Sequence, residues 1–307
     1  MIFDWVNTEG ELVSRQGETG QFTGYLFDPS GKGAGSLVVA LHGFPDNPKT
    51  YRFQVQRWLA AGHRVFLPYM RGYESGSVQS DGNYYIKAIA EDVVDWLDHL
   101  GEPKVHLVGH DWGAVTSWAL VAMAPERFYS VTSIAIPFLK RLSVGVRQRP
   151  IQLRYSWYMS FFQLRGLADW WVKRNDWHFI RFLWKQWSPG WEIPSDAFQS
   201  VVETLAQPGV KKAALGYYRC AFKVLSSDGR ATMALFQKRV TIPTLLITGA
   251  QDGCMHTALF DDITRAEDFP AGYQLKRIKN AGHFVQLEAP DSVSDLTIAH
   301  FNQHEAG

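Results

Sequence analysis

The sequence predicts an α/β fold, a mostly parallel central sheet with helices on both faces and a helical segment inserted late in it. Three observations predict this. Short apolar, β-branched runs alternate with helix-patterned segments over residues 36–136 and resume at 244–301, the order that lays strands side by side with right-handed crossovers. Between these stretches roughly a hundred residues contain no buried-strand pattern. Each apolar run also ends in a Gly-containing loop, most abruptly at Val105-His106-Leu107-Val108-Gly109-His110-Asp111-Trp112-Gly113-Ala114. There the small residues Gly109, Gly113 and Ala114 let a strand and a helix approach, and a side chain at the apex is lifted above the carboxyl end of the sheet.

Residues 1 to about 27 read as two or three short strands, with turns at Glu9-Gly10-Glu11 and Glu18-Thr19-Gly20. Ser36–Leu41 is a continuous apolar strand of the kind buried inside a parallel sheet, and it ends in His42-Gly43-Phe44-Pro45-Asp46. Tyr51–Ala61 is helical, with Phe53, Val55, Trp58 and Leu59 as its apolar side and Gly62 as its cap. Val65–Tyr69 is the next strand, and Tyr84–Leu100 a helix in which Ile86, Ile89, Val93, Val94 and Leu97 recur near helical period. The strand to Asp111, the helix Val115–Ala124 and a strand at Val131–Ile136 complete four repeats. Aromatic helical segments follow at Tyr155–Leu164, Asp169–Trp187, Ala197–Leu205 and around Ala213–Val224. Apolar strands return at Thr244–Thr248, ending in Gly249-Ala250-Gln251-Asp252-Gly253, and at Tyr273–Ile278, ending in Asn280-Ala281-Gly282-His283-Phe284; Ser292–Phe301 is a closing helix. The expected division is a core of 1–137 and 238–307 with a helical cap at 138–237.

A net charge of +1 gives no global drive toward nucleic acid, and no run approaches the ~18 apolar residues of a membrane span. The cap is locally basic: Lys140 to Lys185 holds ten Lys or Arg against Asp169 and Asp176, read as a solvated outer face. Cys220 and Cys254 are far apart and lack metal-ligand spacing, so neither a disulfide framework nor a metal site is expected, and reduced thiols fit a cytoplasmic protein. Met1-Ile2-Phe3-Asp4-Trp5 shows no signal-peptide pattern.

Asp111, Asp252 and His283 each follow an apolar strand in a loop containing Gly, so all three should converge above one edge of the sheet. A turn pair or a lone surface histidine would explain any one of them; the three together do not reduce to that. With His42-Gly43-Phe44-Pro45, Gly109-His110-Asp111-Trp112-Gly113, the Asp252 and His283 loops and Ala289-Pro290, the sequence resembles the α/β-hydrolase family over nearly its whole length. Within it, the Gly-His-Asp-Trp-Gly form is similar to epoxide hydrolases. The resemblance implies that Asp111 is the nucleophile, His283 the base and Asp252 its orienting acid. It also implies that the amides of Phe44 and Trp112 form an oxyanion hole.

The chemistry agrees independently. A carboxylate attacking a saturated carbon forms an ester that water can hydrolyse, whereas a serine would form an ether that it cannot. An aspartate at the apex therefore points to epoxides or alkyl halides. Epoxide hydrolases use two cap tyrosines as proton donors; Tyr158, in Tyr158-Met159-Ser160-Phe161-Phe162-Gln163, and Tyr218, in Tyr217-Tyr218-Arg219, match their settings. Tyr155 and Tyr217 are the fallback donors. Phe44, Trp112, Trp157 and Phe284 are expected to touch a small apolar or aryl epoxide, with water as co-substrate, no cofactor, no metal, and a homodimer left open. Haloalkane dehalogenase is the alternative, with Trp112 as one halide donor and a cap tryptophan replacing the second; a non-catalytic ligand-binding protein is the third reading.

Overall fold

Every residue of Leu37–Leu41 and of Val105–His110 is buried, as apolar runs covered on both faces require. They lie side by side at the centre of an eight-stranded sheet. The computed structural model describes residues 10–28 and 35–305. The elements, in chain order, are β1 (Glu11–Gly17), β2 (Gly20–Phe27), β3 (Leu37–Leu41), α1 (Arg52–Ala60), β4 (Arg64–Pro68), α2 (Ile86–His99), β5 (Val105–His110), α3 (Trp112–Met123) and β6 (Phe128–Ile134). Then come α4 (Leu142–Gln148), α5 (Ile151–Tyr155), α6 (Trp157–Phe161), α7 (Leu167–Trp187), α8 (Ser195–Ala206), α9 (Val210–Ala221) and α10 (Ser227–Leu235). The chain closes with β7 (Thr244–Gly249), α11 (Leu259–Ile263), β8 (Tyr273–Ile278), α12 (Val285–Glu288) and α13 (Pro290–His304).

The strand order is β1-β2-β4-β3-β5-β6-β7-β8. β1 with β2 and β2 with β4 run antiparallel; β4, β3, β5, β6, β7 and β8 are parallel. One face carries α2 and α3, packed through Trp96, Trp118 and Leu120; the other carries α1 and α13, packed through Trp58 and Phe301. Trp58 also donates its indole N–H to Thr297 Oγ1 across that face at 2.8 Å. Because the strands are parallel, the loops after β3, β5, β7 and β8 open at one edge, and the helices between β6 and β7 pack over it.

Four expectations change. Tyr273–Ile278 is a strand but not a buried apolar one: four of its six residues are exposed, and it is an edge strand whose Lys276 and Arg277 suit an unpaired side. Phe53 is exposed, so α1 packs through Val55 and Trp58. The single helix expected over Asp169–Trp187 is broken at Arg174–Trp177, where Asn175, Asp176 and Trp177 have φ of 51°, 50° and 61°; Asn and Asp are the non-glycine residues that best tolerate that region. The basic stretch is not simply a solvated face, because Lys140 and Arg141 pair with Asp268, and Arg149 with Asp262, tying the insertion to the core. The parts of the first expected strand and turn before residue 10 lie outside the described residues. Among the described residues no helix is long and apolar enough to cross a membrane.

Candidate active site

β5 runs straight into α3 with Asp111 alone between them, at φ 51° and ψ −119°. A non-glycine residue is held there only by its surroundings, and here they leave no slack. A Cβ on Gly113 would stand 2.1 Å from Leu41 O, and one on Gly109 2.5 Å from Gly113 O. The two glycines thus let α3 rest against β5 and the end of β3. The turn holds the Asp111 carboxylate up, almost wholly buried, at the sheet's carboxyl edge.

Three loops meet it. From the loop after β3, Phe44 N–H donates to Asp111 Oδ1 at 2.8 Å. His283 Nε2 stands 3.5 Å from Asp111 Oδ2, and His283 Nδ1 2.9 Å from Asp252 Oδ2. The other Asp252 oxygen accepts from the amides of Cys254 and Met255 at 2.7 and 2.8 Å, so this carboxylate cannot turn without losing three bonds. Trp112, the first residue of α3, brings its amide to the helix start beside Asp111.

The His283 loop is held from the insertion. Trp187 O accepts from the amides of Gly253 and His283 at 2.9 and 3.1 Å. His283 N–H also reaches Ser188 Oγ at 2.9 Å, and that hydroxyl donates to Glu288 Oε1 at 2.6 Å. The far end of α7 thereby fixes both the Asp252 and the His283 loop. Ser188 and Glu288 were not singled out in the sequence; nothing in a Ser or a Glu far apart in the chain signals such a bridge.

Burial works to lower the His283 pKa. The Cys254 sulfur, the Asp252 carboxylate and hydrogen bonds to Asp111 and Asp252 more than reverse it, leaving the pKa well above its ordinary value. His42 and His110, behind the site, go the other way: burial brings them to about 4 and about 3. His42 Nδ1–H donates to Gly43 O, while His110 Nε2–H donates to His283 O. Both are therefore neutral struts.

A cavity of about 500 Å³ opens from Asp111, lined by Trp112, Tyr158, Tyr217, Tyr218, Cys254 and an apolar wall that includes Leu142, Met159, Phe222 and Phe236. The Tyr158 and Tyr218 rings meet edge to face with centroids 5.6 Å apart. Burial raises the pKa of both phenols well above the ordinary value, so they stay protonated donors. Tyr158 Oη lies 3.2 Å from Cys254 Sγ. Tyr218 Oη has no partner of hydrogen-bonding geometry among the described residues, and neither has the indole Nε1 of Trp112 beside it.

The matched motifs have a physical reading. Gln163 Nε2 donates to Met159 O and Tyr218 O at 2.9 and 3.1 Å, and Arg219 donates to Phe162 O and pairs with Asp169. The residues accompanying each tyrosine clamp α6 to α9.

The fallback Tyr217 donates to Arg71 O at 2.7 Å, and Tyr155 packs on His256 away from the cavity wall. Of the residues expected to touch substrate, Trp112 lines the cavity; Phe44, Trp157 and Phe284 do not. Trp157 lies on the outer side of the insertion against Phe161, Phe179 and Phe182, with its indole N–H on Gln186, while Phe44 packs against Tyr218, Phe162 and Trp187 and Phe284 against Trp184, Trp187 and Trp191. Cys254, read in the sequence only as a reduced thiol, stands in the site itself.

Sheet order, elbow and three converging loops define a hydrolase of the α/β class. Residues 36–290 match the family described as alpha/beta hydrolase fold, and the chain belongs to that family as an epoxide hydrolase-like member. An epoxide hydrolase from Caballeronia sordidicola is 30% identical over 297 residues, covering 87% of this chain and 88% of that protein. Epoxide hydrolase 4 of Homo sapiens is 28% identical over 267 residues, 85% of this chain and 70% of its own. The crystal structure of a mutant epoxide hydrolase from Bacillus megaterium superposes with a TM-score of 0.79 at 24% identity, covering 94% of this chain and all of that one, a likeness of fold.

Proposed function

We propose that the protein converts an apolar epoxide to a vicinal diol through an ester on Asp111, with residues 138–237 as the cap that supplies the proton donors. The observation that carries this is that one cavity is lined by Asp111 together with Tyr158 and Tyr218. Asp111 Oδ1 is held by Phe44 N–H, so the free oxygen, Oδ2, attacks the epoxide carbon. The C–O bond breaks on the far side, and the tyrosines protonate the departing oxygen. His283 then takes a proton from water, which attacks the ester carbonyl. The charge gathers on Oδ1 under the amides of Phe44 and Trp112, each such donor contributing about 3 kcal/mol by analogy with acyl-transfer sites. Collapse releases the diol and restores Asp111.

His283 begins this cycle as the cation its neighbours favour. Esterification removes the negative charge of Asp111, one of the groups holding the proton; that proton leaves the ring and restores the phenol whose own proton went to the departing oxygen, so the neutral imidazole is then a base for water.

Halide release needs two N–H donors facing the leaving atom. Trp112 offers one; Trp184 Nε1 is bonded to Pro45 O and Trp157 Nε1 to Gln186, and Trp187 is absent from the cavity wall. Nor does a bare ligand-binding role require a complete triad. Two buried thiols that form no disulfide with each other accord with a reducing, cytoplasmic setting.

The test is a single turnover in ¹⁸O-water, enzyme in excess over styrene oxide, with mass spectrometry of the Asp111 peptide. Label in Asp111 and an unlabelled diol are expected. Diol formation with Asp111 unlabelled would mean direct attack by water. No diol, with halide released from 1-haloalkanes, would make it a dehalogenase.

A further inference from the structure

Asp111 and Cys254, at the cavity wall, and the buried His283 behind them bring together three unlike ligand atoms. A carboxylate oxygen of Asp111, Cys254 Sγ and a ring nitrogen of His283 all lie within 4.8 Å of one another, and all three side chains are buried. His283 Nε2 and Asp111 Oδ2 are 3.5 Å apart, close to the roughly 3.3 Å that two donors on one tetrahedral zinc keep between them. That nitrogen makes no hydrogen bond of regular geometry among the described residues, so its contacts with Asp111 and Cys254 are electrostatic ones. The other ring nitrogen faces Asp252 Oδ2 at 2.9 Å, the carboxylate–histidine arrangement that orients a metal-bound imidazole and strengthens it as a donor. Carboxylate and imidazole alone would be an indifferent pair; a thiolate selects soft or borderline cations.

We propose that Asp111, Cys254 and His283 form a binding site for Zn²⁺, and that its occupation reversibly shuts the catalytic centre. The thiol S–H bond breaks as the S–Zn bond forms, and the proton passes to solvent; His283 gives up its Nε2 proton likewise. Two anionic ligands then balance the dication, with Asp252 behind the ring and the fourth position facing the cavity. The cation takes the oxygen that would attack and the nitrogen that would activate water. The geometry supports this whatever the electrophile, so it does not rest on the epoxide reading.

The test uses reduced full-length protein titrated with Cd²⁺, whose thiolate complexes absorb in the ultraviolet, together with Zn²⁺ inhibition of styrene oxide turnover, each variant normalised to its own metal-free rate. The expected result is a one-to-one Cd²⁺ band displaced by Zn²⁺, and inhibition that EDTA reverses. Cys254→Ser and Cys254→Ala should both lose the band and weaken inhibition at least ~10-fold, the lower end of what loss of even an outer-shell partner costs. Cys220→Ser, at the other thiol, should keep the band. Absence of a band in the parent protein, its persistence in Cys254→Ala, a band with turnover untouched by Zn²⁺, or equal inhibition in parent and Cys254 variants would each overturn the proposal. Failure to turn over styrene oxide would count against the epoxide reading, while the Cd²⁺ band would still decide this one.

Discussion

At Asp111 and His283 the proposed chemistry separates into steps that single substitutions can isolate. His283→Gln should still be alkylated but not hydrolyse, giving a protein heavier by the mass of one substrate, whereas Asp111→Ala should show neither adduct nor turnover. An active alanine variant, or no adduct in the glutamine one, would remove Asp111 from its role. The two tyrosines should differ in stability, not in kind. Each Tyr→Phe change should cost on the order of 10²-fold in the alkylation rate, at the low end for a general acid, because the other hydroxyl remains. Tyr218→Phe loses no hydrogen bond of regular geometry among the described residues, so thermal unfolding should stay within about 1 kcal/mol of the parent. A large fall in melting temperature would show that Tyr218 is structural. His283 adds a pH signature: since its raised pKa depends partly on Asp111, the apparent pKa for ester hydrolysis should lie below the resting-enzyme value from an NMR titration. Equal values would mean that esterification does not release the proton.

Among the elements, what was legible in the sequence follows from how local each signal is. β3, β5 and β7 are buried on both faces, so burial itself writes their continuous apolar runs; β8, at the edge, has no such constraint, and its pattern misled. The elbow was legible because glycines are required where backbones touch. Gln163 and Arg219 could be matched to a motif but not explained, because their partners, Tyr218 O and Asp169, are distant in the chain. Cys254 was missed because its neighbours in space come from β5 and the His283 loop, leaving no spacing to recognise. The elbow also gives a quantitative check. Ala114, one position along, already carries a Cβ, but a Cβ on Gly113 meets a carbonyl that cannot swing aside. Gly113→Ala should therefore cost at least the ~1–3 kcal/mol of ordinary overpacking and displace Asp111, lowering activity more than stability. Unchanged denaturant midpoint and turnover would show that α3 can shift freely on β5.

Over the whole molecule, burial of titratable groups fixes where acid unfolds it. His42 and His300 are held at about 4, and His106 and His110 at about 3, in each case chiefly by burial. A histidine whose folded pKa lies below its unfolded 6.5 binds its proton mainly in the unfolded chain, so stability is lost as pH falls below 6.5. With these values each costs about 1 kcal/mol at pH 6 and about 2 kcal/mol at pH 5, so four together remove about 4–5 kcal/mol over that interval. Asp46 opposes them: burial raises its pKa to about 7, its penalty is largest above that pH, and protonation returns about 1 kcal/mol between pH 6 and 5. Glu74, Asp92 and Glu288, raised by burial, act in the same sense as Asp46, while His63, lowered, joins the other histidines. The net loss from the five groups with values is about 3–4 kcal/mol, a large part of the 5–15 kcal/mol a domain commonly has. Melting temperature should be level near neutral pH and fall by roughly 5–10 °C from pH 6 to 5, with unfolding near pH 5.5 taking up roughly three protons, measurable by calorimetry in buffers of different ionisation enthalpy. A melting temperature unchanged to pH 5, or proton release on unfolding, would mean that these histidines find partners or water that let them charge inside the fold.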